Sequence, residues 1–402
     1  MRVFIKWFLY FVFVLFIIGL SLFFGVLVGF KKQSAIRAFI PDSEETIKLP
    51  FQYTSNGHIK VLVRIGNKGK YYFILDSGAQ SLIIDDFADQ INKRLDWLMP
   101  STDSNSSWSL HKMYKVNQIG LTSSLFYKSV RFKKTSRFTD TCDADIKGIV
   151  GINVMQGLKW KIDFDEQEIE LAKDLGQFTF QRAIDTLKLS KNPWSNHLSV
   201  PFSSRNKDKV VYKHLLVDTG FNGTITISKP KKSNYFNDSI IYKGYATSGL
   251  SSSSLKETIF FAKEFKVGNS TFQGINVTAA PSSINALGLG FFKQFKSIVL
   301  DWENNLLLLE RRVGAMDFVN SFLGVGFKFN NEVCYISAAL KTDKKNLTEY
   351  LDCTVSTING TAVRNRTDLC DLKLQNLEEL NIDLITKEGR RKSITVKREK
   401  IF

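Results

Sequence analysis

Asp76 and Asp218 stand 142 residues apart, each inside an Asp-Ser/Thr-Gly tripeptide. Two carboxylates held close cannot both ionise, so such a pair keeps one proton over a wide pH range. One acid then protonates or polarises a carbonyl oxygen while the carboxylate activates a water, and no covalent intermediate is needed. The proton belongs to the pair and not to a named member. Gly78 and Gly220 let the backbone of one turn come close to the other. Ser77 and Thr219 carry hydroxyls that can hydrogen-bond across to the partner loop. A chain of average composition offers two such tripeptides by chance only about once in 60.

The elements around the pair repeat. KYYFILDSGAQSLIID (70–85) is followed by DIKGIVGINVMQGLKWKIDFDEQEIEL (145–171). YKHLLVDTGFNGTITIS (212–228) is followed by SINALGLGFFKQFKSIVLDWENNLLLL (283–309). In each copy an apolar strand runs into the Asp, and 70 to 75 residues later comes an apolar-apolar-Gly ending at Gly151 or Gly288. Each copy closes with a strand, an Asp (Asp163, Asp301), a turn and another strand. β-branched and aromatic runs broken by Asn, Gly and Lys predict mainly β structure in two similar lobes. Short helices are expected only near 85–98 and 291–295.

Asp76-Ser77-Gly78-Ala79 and Asp218-Thr219-Gly220 resemble the two active-site loops of aspartic peptidases of the retropepsin-like and pepsin-like group. The resemblance covers about residues 48–312 and implies a bilobal β-barrel fold. It also implies an aspartic endopeptidase acting on protein or peptide substrates. By it Ser77 and Thr219 interlock the loops, Gly78 and Gly220 make the close approach, and Ala79 is the expected small neighbour. Gly151 and Gly288 mark psi-shaped loops crossing the active-site strands. Phe221 departs from the pattern, which usually has Ser or Ala there, and this puts the outer hydrogen bonding of Asp218 in question. Flap candidates are 101–113, with Trp108 as its aromatic, and 242–262, with Gly249 at its tip.

Beyond Arg312 the repeat stops. Gly324-Val325-Gly326-Phe327 resembles the carboxylate-binding loop of a PDZ domain, and Asp352…Ile358-Asn359-Gly360 resembles part of its signature. Leu351 stands where Gly is usual, and the groove helix is expected near 366–374. The resemblance implies a small α/β module that takes a C-terminal peptide by strand addition. It could recruit or gate substrate. The alternative from another class is a catalytically silent, membrane-anchored binding or scaffold protein that uses this groove.

Trp7 to Phe30 is an uncharged run of 24 residues, enough to cross about 30 Å of hydrocarbon as a helix. No small-x-small cleavage site follows it, so it is expected to be an uncleaved signal anchor. Arg2 and Lys6 precede it and Lys31, Lys32 and Arg37 follow, a nearly balanced flank. Long C-terminal domains cross regardless of such flanks, so the bulk is expected outside the cytoplasm, periplasmic or at the cell surface. The expected division is 1–32 anchor, 33–48 linker, 49–178 first lobe, 179–312 second lobe and 313–402 PDZ-like module.

The chain has 402 residues and a formal net charge of +16. The positives are scattered in pairs with no aromatic-interleaved basic strip, so no nucleic-acid platform is expected. Cys142, Cys334, Cys353 and Cys370 form no CxxC or Cys/His cluster, so no metal site is expected and the redox compartment stays open. None of His58, His111, His197 and His214 sits in a nucleophile or metal motif. No cofactor is expected.

Overall fold

The computed structural model describes residues 2–33, 38–39, 46–91, 93–102, 108–135, 142–206, 209–228, 239–248, 253–280, 284–314, 318, 321–330, 332–342 and 345–400. Helix α1 (Arg2–Gln33) comes first. Its segment Phe4–Gly25 has a mean hydropathy of 2.6, is not buried, and is long and apolar enough to cross a membrane.

The first lobe opens with strands β1 (Ala38–Phe39), β2 (Ile47–Tyr53), β3 (Ile59–Ile65), β4 (Lys70–Asp76) and β5 (Leu82–Ile84). A short helix α2 (Asp85–Gln90) leads to the long strands β6 (Lys93–Thr102), β7 (Trp108–Gly120) and β8 (Phe126–Thr135). Then come β9 (Ile146–Gly151), helix α3 (Ile152–Met155), β10 (Lys159–Asp163) and β11 (Glu168–Ala172).

The second lobe repeats this order. It runs β12 (Ile184–Lys188), β13 (Ser190–Lys191), β14 (Leu198–Asn206), β15 (Lys209–Val217) and β16 (Ile225–Ser228). The long strands follow as β17 (Ser239–Ser248), β18 (Ser253–Val267) and β19 (Ser270–Ala280). It ends with β20 (Ala286–Leu287), α4 (Leu289–Phe292), β21 (Phe295–Asp301) and β22 (Leu306–Arg311). The architecture is therefore mainly β and bilobal, as the internal repeat predicts.

In both lobes the strand that carries the aspartate lies parallel to a later strand threaded between it and its successor. In lobe 1, β9 is parallel to β4, with Asp76 beside Gly151, and antiparallel to β5. In lobe 2, β20 is parallel to β15 and antiparallel to β16. This is the crossing expected of the two apolar-apolar-Gly segments. The lobes share structure as well: β10 pairs with β21, joining them through one sheet. A single apolar core spans both, with Trp160 and Phe202 fully buried in it. The turns closing the copies match too, since Asp163 Oδ1 accepts from the amides of Asp165 and Glu166, and Asp301 Oδ1 from Glu303 and Asn304.

The C-terminal part holds β23 (Ser321–Phe322), β24 (Val325–Asn330), β25 (Val333–Lys341), β26 (Thr354–Ile358) and β27 (Thr361–Ala362). Helix α5 (Arg366–Asp371), β28 (Glu379–Ile385), β29 (Arg391–Lys397) and β30 (Glu399–Lys400) complete it. It has its own apolar core, around Ile336, Ile358, Leu380 and Val396. Two links tie it to the lobes. Strand β25 pairs with β17 of lobe 2 from Ile241↔Lys341 to Gly244↔Ala338, and a disulfide joins Cys142 of lobe 1 to Cys370 of α5. Cys334 and Cys353 are buried thiols.

The expected helices are shorter than predicted. The 85–98 helix stops at Gln90, because Ile91 turns extended and β6 pairs along β7 from Lys93 onward. The 291–295 helix is Leu289–Phe292, and Phe295 instead opens β21 in the core. Helix α5 ends at Asp371, with Lys373 left-handed at φ 47° before a short 3-10 turn.

Candidate active site

Asp76 is the last residue of β4, and Asp218 directly follows β15. The apolar runs Phe73-Ile74-Leu75 and Leu215-Leu216-Val217 drive these strands into the interior, so the chain turns at the aspartates between the lobes. There the loops interlock reciprocally. The Ser77 amide donates to Thr219 Oγ1 at 2.9 Å, and the Thr219 amide donates to Ser77 Oγ at 3.0 Å. Each hydroxyl then donates to the carbonyl just before the other aspartate: Ser77 Oγ to Val217 at 2.8 Å, Thr219 Oγ1 to Leu75 at 3.1 Å. Ser77 and Thr219 are buried at 2% and 0% exposure, so neither hydroxyl has water as an alternative partner.

The two carboxyls are within hydrogen-bonding reach of each other. Gly78 and Gly220 donate amides to Asp76 Oδ1 at 2.8 Å and to Asp218 Oδ1 at 2.9 Å. A Cβ on either glycine would stand within 3.0 Å of the opposite carboxyl. Burial raises the pKa of Asp76, partly offset by the Gly78 amide. Asp218 is raised well above the usual range, first by burial and next by the charge of Asp76. The half-protonated pair is therefore the state this environment favours. Lys133, buried on β8, adds a positive field that favours ionised Asp76.

Gly151 and Gly288 sit beneath these loops, where a Cβ would collide with Ala79 and Ser81 in one lobe and Phe221 and Gly223 in the other. The Ile152 amide donates to the Ala79 carbonyl at 2.8 Å, and the Leu289 amide to the Phe221 carbonyl at 2.7 Å. Phe221 leaves the main-chain pattern at Asp218 intact, because its own amide bonds Asp218 as the Ala79 amide bonds Asp76. Its ring folds back over Gly223 and Gly288, away from the carboxyls.

The asymmetry lies one residue further on. The Asn222 amide group donates to the Asn56 carbonyl and lies 3.1 Å from His58 Nδ1. Lys293, just past α4, donates to the Gly57 carbonyl at 2.7 Å with its ammonium 4.2 Å from the Tyr53 ring centre. On the other side, Gln80, Gln156 and Asn196 line a small gap, and Gln80 Oε1 is buried with no hydrogen-bond partner.

Two histidines that the motif reading passed over join this arrangement. His58 hydrogen-bonds the Gly220 main chain, and His197 reaches the Gly78 main chain. Each comes from the lobe opposite to the loop it touches. Both immediately precede a strand, β3 or β14, and both close a turn by accepting at their carbonyls, from the Thr54 and Asn192 amides. Burial is the first cause that lowers each to about 4. The Lys293 charge adds to this at His58, and the Lys133 charge at His197. His197 Nε2 is buried with no hydrogen-bond partner, which suits a neutral ring. The signal was in the repeat: Asn56-Gly57-His58-Ile59-Lys60-Val61 parallels Ser195-Asn196-His197-Leu198-Ser199-Val200.

The remaining expected site residues fall elsewhere. Trp108 opens β7, in the hairpin formed with β6. Gly249 lies outside the described residues, in the connection between β17 and β18. Gly324 to Phe327 lead into β24, which among the described residues pairs only with β25. The edge of β24 away from β25 is near Phe327 and Phe329, which with Leu369 and Leu372 of the α5 region pack on the module's core. Asn359 and Gly360, at φ 50° and 77°, form the tight turn between β26 and β27. No group of three or more potential metal ligands occurs among the described residues.

No protein-family model matches the chain, and no curated protein does. Among solved structures the chain is similar to an aspartic proteinase from Irpex lacteus at 12% identity and TM-score 0.40, covering 68% of this chain and all of that one. It is also similar to basic 7S globulin from soybean, at 9% identity and TM-score 0.41, over 66% of this chain and 96% of the other. Conglutin gamma from lupine seeds gives 9% identity and TM-score 0.42, over 67% and 95%. Likeness at this level says nothing about activity, which rests on the residues of the site itself.

Proposed function

We propose that the chain is a membrane-anchored aspartic-type endopeptidase, hydrolysing peptide bonds with a water activated between Asp76 and Asp218. The observation that carries this reading is the reciprocal interlock of Ser77 and Thr219, which holds two carboxyls in contact at matching points of an internal repeat. In the proposed cycle the pair holds one proton, shared between the two carboxyls. The ionised member takes a proton from water as it attacks the scissile carbonyl, and the protonated member donates to the carbonyl oxygen. The member that took the water proton then protonates the leaving amine while the other takes a proton back from a hydroxyl of the collapsing gem-diol, which returns the pair to its single-proton state. Asp76 and Asp218 are the catalytic residues here; Ser77, Thr219, Gly78 and Gly220 hold them in register.

Helix α1 is the proposed anchor, with the lobes outside the cytoplasm. The C-terminal module is proposed to act as a PDZ-like peptide reader, taking a ligand strand along the open edge of β24. Its pairing with the β17–β18 hairpin offers a route by which a bound ligand could gate the cleft.

The test is cleavage of a peptide library by the full chain in detergent or nanodiscs. Asp76→Asn and Asp218→Asn should each lower the rate by at least about 10²–10⁴-fold. Cleavage retained in either variant overturns the reading. A wild-type chain that cleaves nothing yet binds C-terminal peptides would be the silent scaffold instead.

A further inference from the structure

The β6–β7 hairpin of lobe 1 exposes an unusual amount of apolar side chain. Leu95, Leu98 and Leu110 are 55%, 49% and 65% exposed, whereas Met99 and Met113 are 7% and 1% exposed. The register explains the split. Leu95 opposes Tyr114 and Leu98 opposes Lys112, while Leu110 lies two residues from Lys112 on the same strand. Residues opposed across an antiparallel pair, and residues two apart along a strand, share a face. A bulge between Leu95 and Trp97 brings Leu95 onto the face of Leu98 although they are three apart. All three leucines therefore lie on the outer face. Met99, His111 and Met113 lie on the inner one, where the Lys133 charge acts on both His111 and Asp76.

The tether says what this face meets. Only residues 34–37 separate the end of α1 from β1, a span of at most about 18 Å from Gln33 to Ala38 when fully extended. Strand β1 pairs with β8 at Tyr127 and Phe126, where β8 meets the Ile119–Gly120 end of β7, and β7 pairs with β6 along its other half. Helix α1 and β6 come within 8 Å of each other between Cα atoms. If α1 crosses a bilayer, the hairpin is held at its surface whichever side the lobes occupy. The charge agrees: Lys112 opposes Leu98 on this face, in a chain of net +16. A face of leucines with a lysine among them, whose stem can lie along apolar surface, suits the interface of an anionic bilayer.

We infer that the outer face of the β6–β7 hairpin, through Leu95, Leu98 and Leu110, docks on the anionic lipid surface and holds lobe 1 against the membrane. This rests on the reading of α1 as a membrane anchor, and the test separates the two. Full-length chains carrying Leu98→Cys, Leu110→Cys or, as a remote control, Lys387→Cys are labelled with an environment-sensitive fluorophore and placed in nanodiscs containing phosphatidylserine. The native cysteines are disulfide-bonded or buried and leave the new thiol as the reactive one. Labels at 98 and 110 should shift to the blue and be quenched severalfold more by a lipid-borne quencher than the label at 387. Chains that stay in the discs while both labels remain aqueous overturn the docking and leave the anchor standing. Chains that do not stay in the discs overturn the anchor and the docking with it. Burial of the labels that needs no lipid and grows with protein concentration assigns the face to a second copy, against the proposal.

Discussion

Replacing His58 and His197 together by glutamine should make the folded chain lose less stability in acid. Both rings fall from 6.5 to about 4 on folding. Each pKa unit is worth about 1.4 kcal/mol, so each histidine weakens the fold by roughly 3 kcal/mol at pH 4 relative to neutral pH. The sign follows from proton binding. Between pH 6.5 and 4 the unfolded chain protonates both rings and the folded chain protonates neither, so stability is full above this window and falls as pH falls through it. At His58 the opposing groups are Lys293 and Asp143, the first favouring the neutral ring and the second the charged one; at His197 the charged neighbour is Lys133. The dyad works the other way. Asp218, raised well above 3.8, holds a proton in the folded chain that the unfolded chain lacks, which stabilises the fold as pH falls; Asp76 adds to this at the acid end. Because the dyad and every other group are common to both proteins, wild type should lose up to about 2.7 kcal/mol per pH unit more than the double variant across the window. Urea unfolding of the full chain, followed through the buried tryptophans Trp160 and Trp302 at a series of pH values, reads both slopes. Parallel acid branches for the two proteins would refute the claim that these rings are held neutral.

Further predictions concern the loops and the links between parts. Gly78→Ala and Gly220→Ala each place a methyl within 3.0 Å of the opposite carboxyl; overpacking of this kind costs about 1–3 kcal/mol, and a lower urea midpoint with lost peptide cleavage is expected for both. Thr219→Ala removes one hydroxyl that both donates and accepts in a dry site and should cost about 2–4 kcal/mol. Thr219→Ser, which keeps the hydroxyl, should recover most of it in the same unfolding assay. Cys142→Ser releases the bridge to Cys370 across 228 residues; the expected cost is about 2–5 kcal/mol, and limited proteolysis should then cut the C-terminal module loose sooner than in wild type.

The carboxyl pair was legible because its chemistry demands short, fixed tripeptides and because the repeat printed them twice. The crossing strands were legible through Gly151 and Gly288, where only a residue without a side chain fits between two backbones. The histidine pair was present in the same repeat, but lone histidines at strand starts carry no motif, and their role exists only where each crosses to the other lobe. Phe221 departs from the usual small residue beside Asp218; the contact at that position is a main-chain amide, which any residue but proline supplies, and the real asymmetry falls on Asn222 and Lys293. Helix lengths were overread at 85–98 because the leucine and tryptophan spacing there belongs to a bulged strand pairing with β7. The disulfide between Cys142 and Cys370 had no sequence signature at all, since its partners come together only through the packing of the C-terminal module on both lobes.

The most direct test of the central claim is peptide hydrolysis in water enriched in oxygen-18, run with wild type and with the two Asp→Asn variants, with hydroxylamine present to trap any acyl-enzyme. A water activated between Asp76 and Asp218 predicts one heavy oxygen in the new C-terminal carboxylate, no trapped hydroxamate, and loss of turnover in both variants. Turnover that survives Asp76→Asn or Asp218→Asn, or a hydroxamate that forms in wild type, would contradict it.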